Sequence, residues 1–194
     1  MRLLVFTRYP AAGRVKTRLI PALGALGARQ LHRRMAEDTL GKLRGVAEIE
    51  VCFDGGNENL MREWLGEGVT YTPQGPGDLG ERLRSAFSRT FAREEKPVVA
   101  VGTDCPGLKA SHVEEAFRLL RRHDLVLGPA ADGGYYLVGL RNEHKGIFTG
   151  IPWGTGGVLR RTREKAALGG LDTALLEELA DVDRPEDLDL LDNR

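Results

Sequence analysis

Val98-Val99-Ala100-Val101-Gly102-Thr103-Asp104-Cys105-Pro106 is a near-continuous apolar run that ends in Gly, Thr and Asp ahead of a proline. Apolar residues on both sides of the pleat suit a strand buried on both faces, the habit of parallel sheets in α/β proteins. An Asp at the carboxyl end of such a strand, followed by Pro, is held where open sheets bind their ligands. This stretch therefore sets both the fold class and the place to look for chemistry.

Working outward, five other short apolar runs read as strands: Leu3–Thr7, Ile49–Phe53, Val69–Thr72, Leu125–Leu127 and Tyr135–Leu140. Between most of them lie helical faces stepping by three or four residues. These are Ala28, Leu31, Met35 and Thr39; then Leu79, Leu83, Phe87 and Thr90; then Val113, Ala116, Phe117 and Leu120. Strand and helix in alternation predict an α/β domain with a mainly parallel sheet covered on both sides. In the last third, Val158–Leu168 and Ala174–Ala180 read as helices separated by Gly169-Gly170. A further helix is expected to start at Pro185, with Glu186 and Asp187 in its first turn. No repeat or linker interrupts the chain, so one domain over residues 1–194 is expected.

Twenty-eight Lys plus Arg balance 28 Asp plus Glu. Without a basic excess there is no broad electrostatic footprint for duplex DNA or an anionic membrane, so neither nucleic acid nor lipid is an expected partner. A hydrophobic share of 41% with 29% charged residues is that of a folded soluble protein. Cys52 and Cys105 cannot form a multi-bridge framework and lack metal or redox spacing, which points to the reducing cytoplasm. The opening MRLLVFTRYP has too short an apolar run for a signal peptide, and no stretch approaches a membrane span.

The loops after the strands carry the candidate chemistry. After the first strand, Arg8-Tyr9-Pro10-Ala11-Ala12-Gly13-Arg14-Val15-Lys16-Thr17-Arg18 gathers cations around a Gly. Gly13 can let backbone N–H groups approach an anion, while Lys16 and Arg18 can neutralise a phosphate. The loop is not a Walker A motif, because Val15 and Pro10 stand where that motif needs Gly. A merely solvated basic loop is the alternative. Gln74-Gly75-Pro76-Gly77-Asp78-Leu79-Gly80-Glu81-Arg82 enters a helix, read either as Asp78 capping it with Arg82 at the surface or as Gln74 and nearby backbone framing a nucleobase edge.

Asp104 is a hard oxygen ligand of the kind Mg²⁺ takes together with substrate phosphates. Asp183 is the second candidate carboxylate, although alone it reads as a helix N-cap. Asp132-Gly133-Gly134 is a turn signal that also aims a carboxylate into the crevice. Trp153 is either a core plug or a stacking wall. Cys105 has no neighbouring His in sequence to activate it, and His32, His112, His123 and His144 lack ligand spacing.

Together these segments, in this order across nearly the whole chain, resemble the GT-A or nucleotide-diphospho-sugar transferase superfamily. They are most similar to its small bacterial transferases associated with radical-SAM and selenodomain proteins, some linked to arsenosugar biosynthesis. The resemblance implies a Rossmann-like GT-A fold, a mainly parallel but mixed sheet, a nucleotide or nucleotide-sugar donor, a small-molecule acceptor and Mg²⁺ or Mn²⁺.

By that likeness Lys16 and Arg18 face the phosphates and Gln74 and Asp78 the base side, with Arg8, Gly13, Arg14, Gly80 and Arg82 also binding the nucleotide. Asp104 and Asp183 hold the metal, and Lys16, Arg18, Asp104 and Asp132 serve catalysis. The sequence departs from the family pattern at Ala131, where an acid is usual, and at Gly154, Gly156 and Gly157, where Ser and Pro are usual. Thr-Asp-Cys-Pro, with its single Asp, looks more like the nucleotidyl transferases, including the guanylyl transferases of cofactor biosynthesis, than like the Asp-x-Asp glycosyl transferases. Glycosyl transfer and a non-catalytic nucleotide-binding module are the alternatives. The acceptor, the base and the oligomeric state stay open.

Overall fold

The computed structural model describes residues 1–93 and 97–191; the expected domain also takes in 94–96 and 192–194, which lie outside the described residues. The strands are β1 (Arg2–Arg8), β2 (Glu48–Asp54), β3 (Thr70–Pro73), β4 (Val98–Gly102), β5 (Leu125–Pro129), β6 (Tyr135–Leu140) and β7 (Thr173–Leu175). They form one sheet in the order β3-β2-β1-β4-β6-β5-β7. Every pairing is parallel except those of β6, which runs antiparallel to both β4 and β5. The mixed, mainly parallel sheet expected from the sequence is the one observed.

The helices are α1 (Ile20–Leu43), α2 (Glu58–Leu65), α3 (Leu79–Phe91), α4 (Ala110–Leu119) and α5 (Val158–Leu168). Successive strand residues point to opposite faces, so alternate apolar positions feed two cores. Leu3, Val5, Val51, Val99 and Val101 pack with Leu40, Leu43, Met61 and Phe117 of α1, α2 and α4. Leu4, Cys52, Val98 and Ala100 pack with Leu83, Phe87 and Ala166 of α3 and α5. The near-continuous apolar character of β4 thus follows from helices on both faces.

The helix expected at Ala174–Ala180 is not formed. Thr173–Leu175 is β7, Leu176 N donates to Leu127 O, and an isolated bridge joins Ala130 to Leu179. The edge of β5 needs partners for its backbone groups, and a seven-residue segment has little intrinsic helix stability to oppose that pairing. The segment from Pro185 winds as a 3₁₀ helix, Pro185–Leu191, rather than an α-helix. Helix α1 contains Gly24 at φ 68°, a left-handed break that only Gly adopts cheaply. Helix α2 went unread in the sequence; its start is fixed by Asn57, whose side chain accepts from Leu60 N at 3.0 Å.

Strands β1, β2 and β3 succeed one another on one side, while β4 returns to the opposite side of β1. The order therefore reverses between β1 and β4, and a crevice opens outside their carboxyl ends.

Candidate active site

A cleft of about 810 Å³ occupies that crevice. Thr7 at the end of β1 and Thr103 just beyond β4 meet at its floor, their hydroxyl oxygens 3.2 Å apart. Arg8, Arg14, Lys16 and Arg18 from the first loop line it, as do Gln74 and Arg82. Asp104, Asp132 and Asp183 complete the expected set found there, and Asp181 joins them. Gly13, Asp78 and Gly80 do not line it.

Lys16 is the one described non-glycine residue with positive φ (46°). This turn sends its side chain inward, 3% exposed, where Nζ lies 2.6 Å from Asp104 Oδ1 and 2.8 Å from Asp183 Oδ1. It also donates to Val182 O at 2.6 Å. Burial alone would lower the Lys16 pKa, but the two carboxylates outweigh it and hold the ammonium above its ordinary range. Three oxygens enclose three N–H donors. The lysine expected at the phosphates is therefore committed to the two carboxylates expected at the metal.

The C-terminal segment reaches the site through Val182, fully buried with Leu19, Ala28 and Met35. Its N–H donates to Asp104 O at 2.9 Å. With Val182 as the plug, Asp181 and Asp183 on either side of it line the cleft. Asp183 is not the cap its sequence suggested. Asp187 Oδ2 accepts from Asp183 N and Arg184 N at 2.9 and 2.7 Å, leaving the Asp183 carboxylate to Lys16. Burial, with Asp104, Asp132 and Asp183 around it, pushes the Asp181 carboxyl up to about 7. Asp181 is a site residue that the sequence reading passed over.

Asp54, also unread in the sequence, organises the basic side. Its Oδ2 accepts from Arg8 Nε and NH2 at 3.0 and 2.7 Å and lies 3.1 Å from Arg82 NH1. Burial would raise the Asp54 pKa, and the two guanidiniums hold it below the ordinary carboxylate range instead. Arg8 and Arg82 are thus paired. Among the described residues Arg14 has no ion pair, and the shortest from Arg18 is 3.9 Å, to Asp183. These two guanidiniums are the ones positioned to meet a mobile anion.

Three residues expected at the nucleotide, Gln74, Asp78 and Gly80, make contacts within the protein. Gln74 is buried, its amide nitrogen donating to Thr7 O and Cys52 O at 3.1 and 2.9 Å and its oxygen accepting from Arg82, so it ties β1 to β2 at the cleft floor. Asp78 caps α3 in a reciprocal box with Glu81, each accepting the other's backbone N–H at 2.9 and 3.0 Å. Gly80 is a packing glycine: a Cβ there would stand 2.4 Å from Trp153 Nε1 and 2.5 Å from Phe148 O. Gly13, at φ 75°, turns the first loop without touching the cleft. His32 is structural, its Nε2 bonded to Arg8 O at 2.8 Å. Burial pushes the Cys105 thiol up to about 12, which makes it inert.

Across the cleft, Asp132 Oδ1 accepts from Gly134 N at 2.8 Å in a turn that packs on the loop before α5. A Cβ on Gly133 would lie 2.3 Å from Gly156 O. Gly133 O accepts from Leu159 N at 2.9 Å. Trp153 stands edge to face with Tyr135 at 6.1 Å and lines the cleft, combining the core and wall readings.

Asp104 and Asp183 offer hard oxygens on side chains 48% and 41% exposed, a donor set that fits Mg²⁺ or Mn²⁺ with phosphates and waters completing the shell. No group of three or more His, Cys, Asp or Glu poised around one metal position is present among the described residues. A ligand's own oxygens must contribute.

Comparison with known proteins agrees with this fold. The family model described as "Uncharacterized protein conserved in bacteria (DUF2064)" matches residues 39–155. A crystal structure from Desulfovibrio desulfuricans G20, provisionally assigned as a nucleotide-diphospho-sugar transferase, is 36% identical. It superposes with a TM-score of 0.93 over 98% of this chain and 85% of its own. A 3-phospho-D-glycerate guanylyltransferase from Phenylobacterium zucineum (strain HLK1) is 41% identical over 123 residues, 58% of this chain and 52% of that one. The chain spans about half the length of the curated relatives it matches.

Glucosyl-3-phosphoglycerate synthase from Mycobacterium tuberculosis, in complex with Mn²⁺, UDP and phosphoglyceric acid, shares the fold. It is 15% identical, with a TM-score of 0.56 over 99% of this chain and 73% of its own. No helix among the described residues is long and apolar enough to cross a membrane. The chain belongs to the DUF2064 family and has the Rossmann-like GT-A fold of the nucleotide-diphospho-sugar transferases.

Proposed function

We propose that the protein is a Mg²⁺- or Mn²⁺-dependent nucleotidyl transferase that moves a nucleoside monophosphate from an NTP to an oxygen of a small acceptor. The observation that carries this reading is the pair of guanidiniums Arg14, with no ion pair among the described residues, and Arg18, whose shortest approach to a carboxylate is 3.9 Å to Asp183, beside the carboxylate pair Asp104 and Asp183 at the sheet's switch point. A triphosphate needs cations on one side and a metal site on the other. The guanylyl transferase named above supports GTP as the first donor to test. Buried thiols at Cys52 and Cys105 fit the reducing cytoplasm.

In this mechanism the acceptor oxygen attacks the α-phosphorus in line, the bond to the bridging oxygen breaks, and pyrophosphate leaves. Arg14 and Arg18 bind the polyphosphate and neutralise its charge through bidentate contacts. Lys16 holds Asp104 and Asp183 together. The metal they would hold supplies Lewis-acid neutralisation of the reacting phosphate. Asp132, which lines the same cleft, takes the proton of an attacking hydroxyl. Positioning and charge neutralisation do most of the work.

Thermal shift with GTP, ATP, CTP, UTP and UDP-glucose, each with Mg²⁺ and with EDTA, tests the donor; a ligand of the native state raises Tm by mass action. Metal-dependent stabilisation by a triphosphate, with pyrophosphate released on acceptor addition, is the expected result. Stabilisation by UDP-glucose alone, with release of UDP, would move the assignment to glycosyl transfer. Nucleotide binding without turnover across acceptors would leave a binding module.

A further inference from the structure

The ammonium of Lys16 sits where a set of cation ligands converges. Its nitrogen lies 2.6 Å from Asp104 Oδ1, 2.8 Å from Asp183 Oδ1 and 2.6 Å from Val182 O. Two carboxylates and a carbonyl are hard oxygens, the donors that Mg²⁺ and Mn²⁺ also take. Asp104 Oδ1 is buried and accepts no hydrogen bond; Nζ meets it as a charge, while its hydrogen bonds go to Asp183 Oδ1 and Val182 O. The other oxygen of Asp183 faces Arg18 at 3.9 Å. Both oxygens of Asp183 therefore face a cation already. A divalent ion added to the pair would crowd two more positive charges against an ammonium that is 3% exposed and poorly screened by water.

The loop allows the side chain to leave while the backbone stays. Val15 and Leu19 on either side are buried, and Leu19 N donates to Lys16 O at 2.9 Å. Lys16 itself is held left-handed, at φ 46° and ψ 43°, a conformation that persists only where the surroundings impose it. Arg14 and Arg18 stand two residues to either side in sequence and line the same cleft. A polyphosphate held by both comes within the sweep of the flexible four-carbon lysine stem.

We propose that Lys16 is the resident counter-cation of the metal site: in the nucleotide-free protein its ammonium occupies the place on Asp104 and Asp183 that a divalent cation takes, and the two exclude each other. The inference rests on the reading above of those carboxylates as metal ligands and of Arg14 and Arg18 as the polyphosphate site. Lys16 holds the carboxylate pair until the metal takes it. The carboxylates then exchange one cation for another, the ammonium exchanges carboxylates for phosphate, and no proton moves. Metal and nucleotide consequently bind as a couple, each tightening the other.

The first test follows the ¹⁵N ammonium signal of Lys16, assigned through its side-chain carbons, in the wild-type protein without nucleotide as Mg²⁺ is added. The signal should fade in step with metal occupancy. Its persistence at saturating Mg²⁺ would show that both cations share the pair, which overturns the inference.

The second test is Mn²⁺ affinity by electron paramagnetic resonance for wild type, Lys16→Gln and Arg18→Gln, with circular dichroism as the check of folding. Arg18→Gln removes a charge beside Asp183 and leaves the occupant in place. Lys16→Gln should gain about tenfold or more over Arg18→Gln in nucleotide-free Mn²⁺ affinity. Equal gains reduce the effect to local charge, and weaker binding in Lys16→Gln makes the lysine an organiser of the metal site; either overturns the exchange. Adding α,β-methylene-GTP should tighten Mn²⁺ binding roughly 5- to 150-fold more in wild type than in Lys16→Gln. Failure of the nucleotide to bind overturns instead the polyphosphate reading, and the nucleotide-free measurements still decide the exchange. Absence of metal binding from every protein, with or without nucleotide, overturns the metal site and the inference with it.

Discussion

Replacing Lys16 with Met keeps the side chain's length and removes its charge from among Asp104 Oδ1, Asp183 Oδ1 and Val182 O. The ammonium sits 2.6 and 2.8 Å from the two carboxylates. At an effective dielectric near 20, each such pair is worth roughly 6 kcal/mol of gross attraction. Most of that is offset by the desolvation of a lysine only 3% exposed. Removing one partner of a buried pair typically costs about 3–5 kcal/mol; because both carboxylates here are nearly half exposed and can rehydrate, we expect about 2–3 kcal/mol.

Urea unfolding in EDTA at neutral pH should show that loss as a lower midpoint with an unchanged slope. Mn²⁺ should then rescue the variant more than the wild type. The cation meets two carboxylates no longer neutralised by an ammonium, and occupancy at 100 times Kd restores about 2.7 kcal/mol. The lysine contribution should persist below pH about 10.5 and vanish as pH rises through the elevated folded value. A variant as stable as wild type in EDTA, with the same Mn²⁺ affinity by electron paramagnetic resonance, would refute the claim that Lys16 holds the carboxylate pair.

Three further outcomes follow from the same geometry. Burial and its acidic neighbours raise Asp181 from 3.8 to about 7, so the folded state holds that proton more tightly; the resulting stability is full below pH about 4 and lost as pH rises through about 7. In metal-free buffer, wild type should therefore weaken over that window relative to Asp181→Asn in urea titrations, and parallel curves would deny the coupling. Arg14→Ala and Arg18→Ala should each weaken triphosphate binding roughly 10- to 100-fold, as expected for charged hydrogen bonds. Calorimetry at two salt concentrations checks both, and unchanged affinity would remove that residue from the phosphate side. Gly80→Ala drives a Cβ against Trp153 and the Phe148 carbonyl and should cost about 1–3 kcal/mol; thermal unfolding with no loss would show that the Trp153 wall yields.

The fold was legible because the strand-forming runs are short, apolar and punctuated. Leu3–Thr7, Val98–Val101 and Tyr135–Leu140 each fall within or on the observed β1, β4 and β6. What the sequence hid were elements stabilised by distant partners. Thr173–Leu175 has weak strand character of its own and exists because β5 presents an edge whose paired residues lie 48 positions away in sequence. Helix α2 is a short amphipathic helix of eight residues set by the Asn57 cap, too brief for periodicity to reveal.

The site was legible by residue type and illegible by pairing. Cations after β1 and acids after β4 and near the C-terminus announce complementary charge, but nothing in the sequence says that Lys16 turns away from an anion to bridge Asp104 and Asp183. That depends on a left-handed backbone at Lys16 and on Val182 being anchored by Leu19, Ala28 and Met35. The same anchor explains why Asp181 went unread. Beside Val182 it is drawn into a partly buried wall where Asp104, Asp132 and Asp183 already stand, and there its carboxyl titrates near 7. Asp187 completes the arrangement by capping the turn that Asp183 would otherwise cap. One hydrophobic residue thus converts an acidic stretch that reads as a helix start into one wall of the cleft, and the charge asymmetry of that cleft is its consequence.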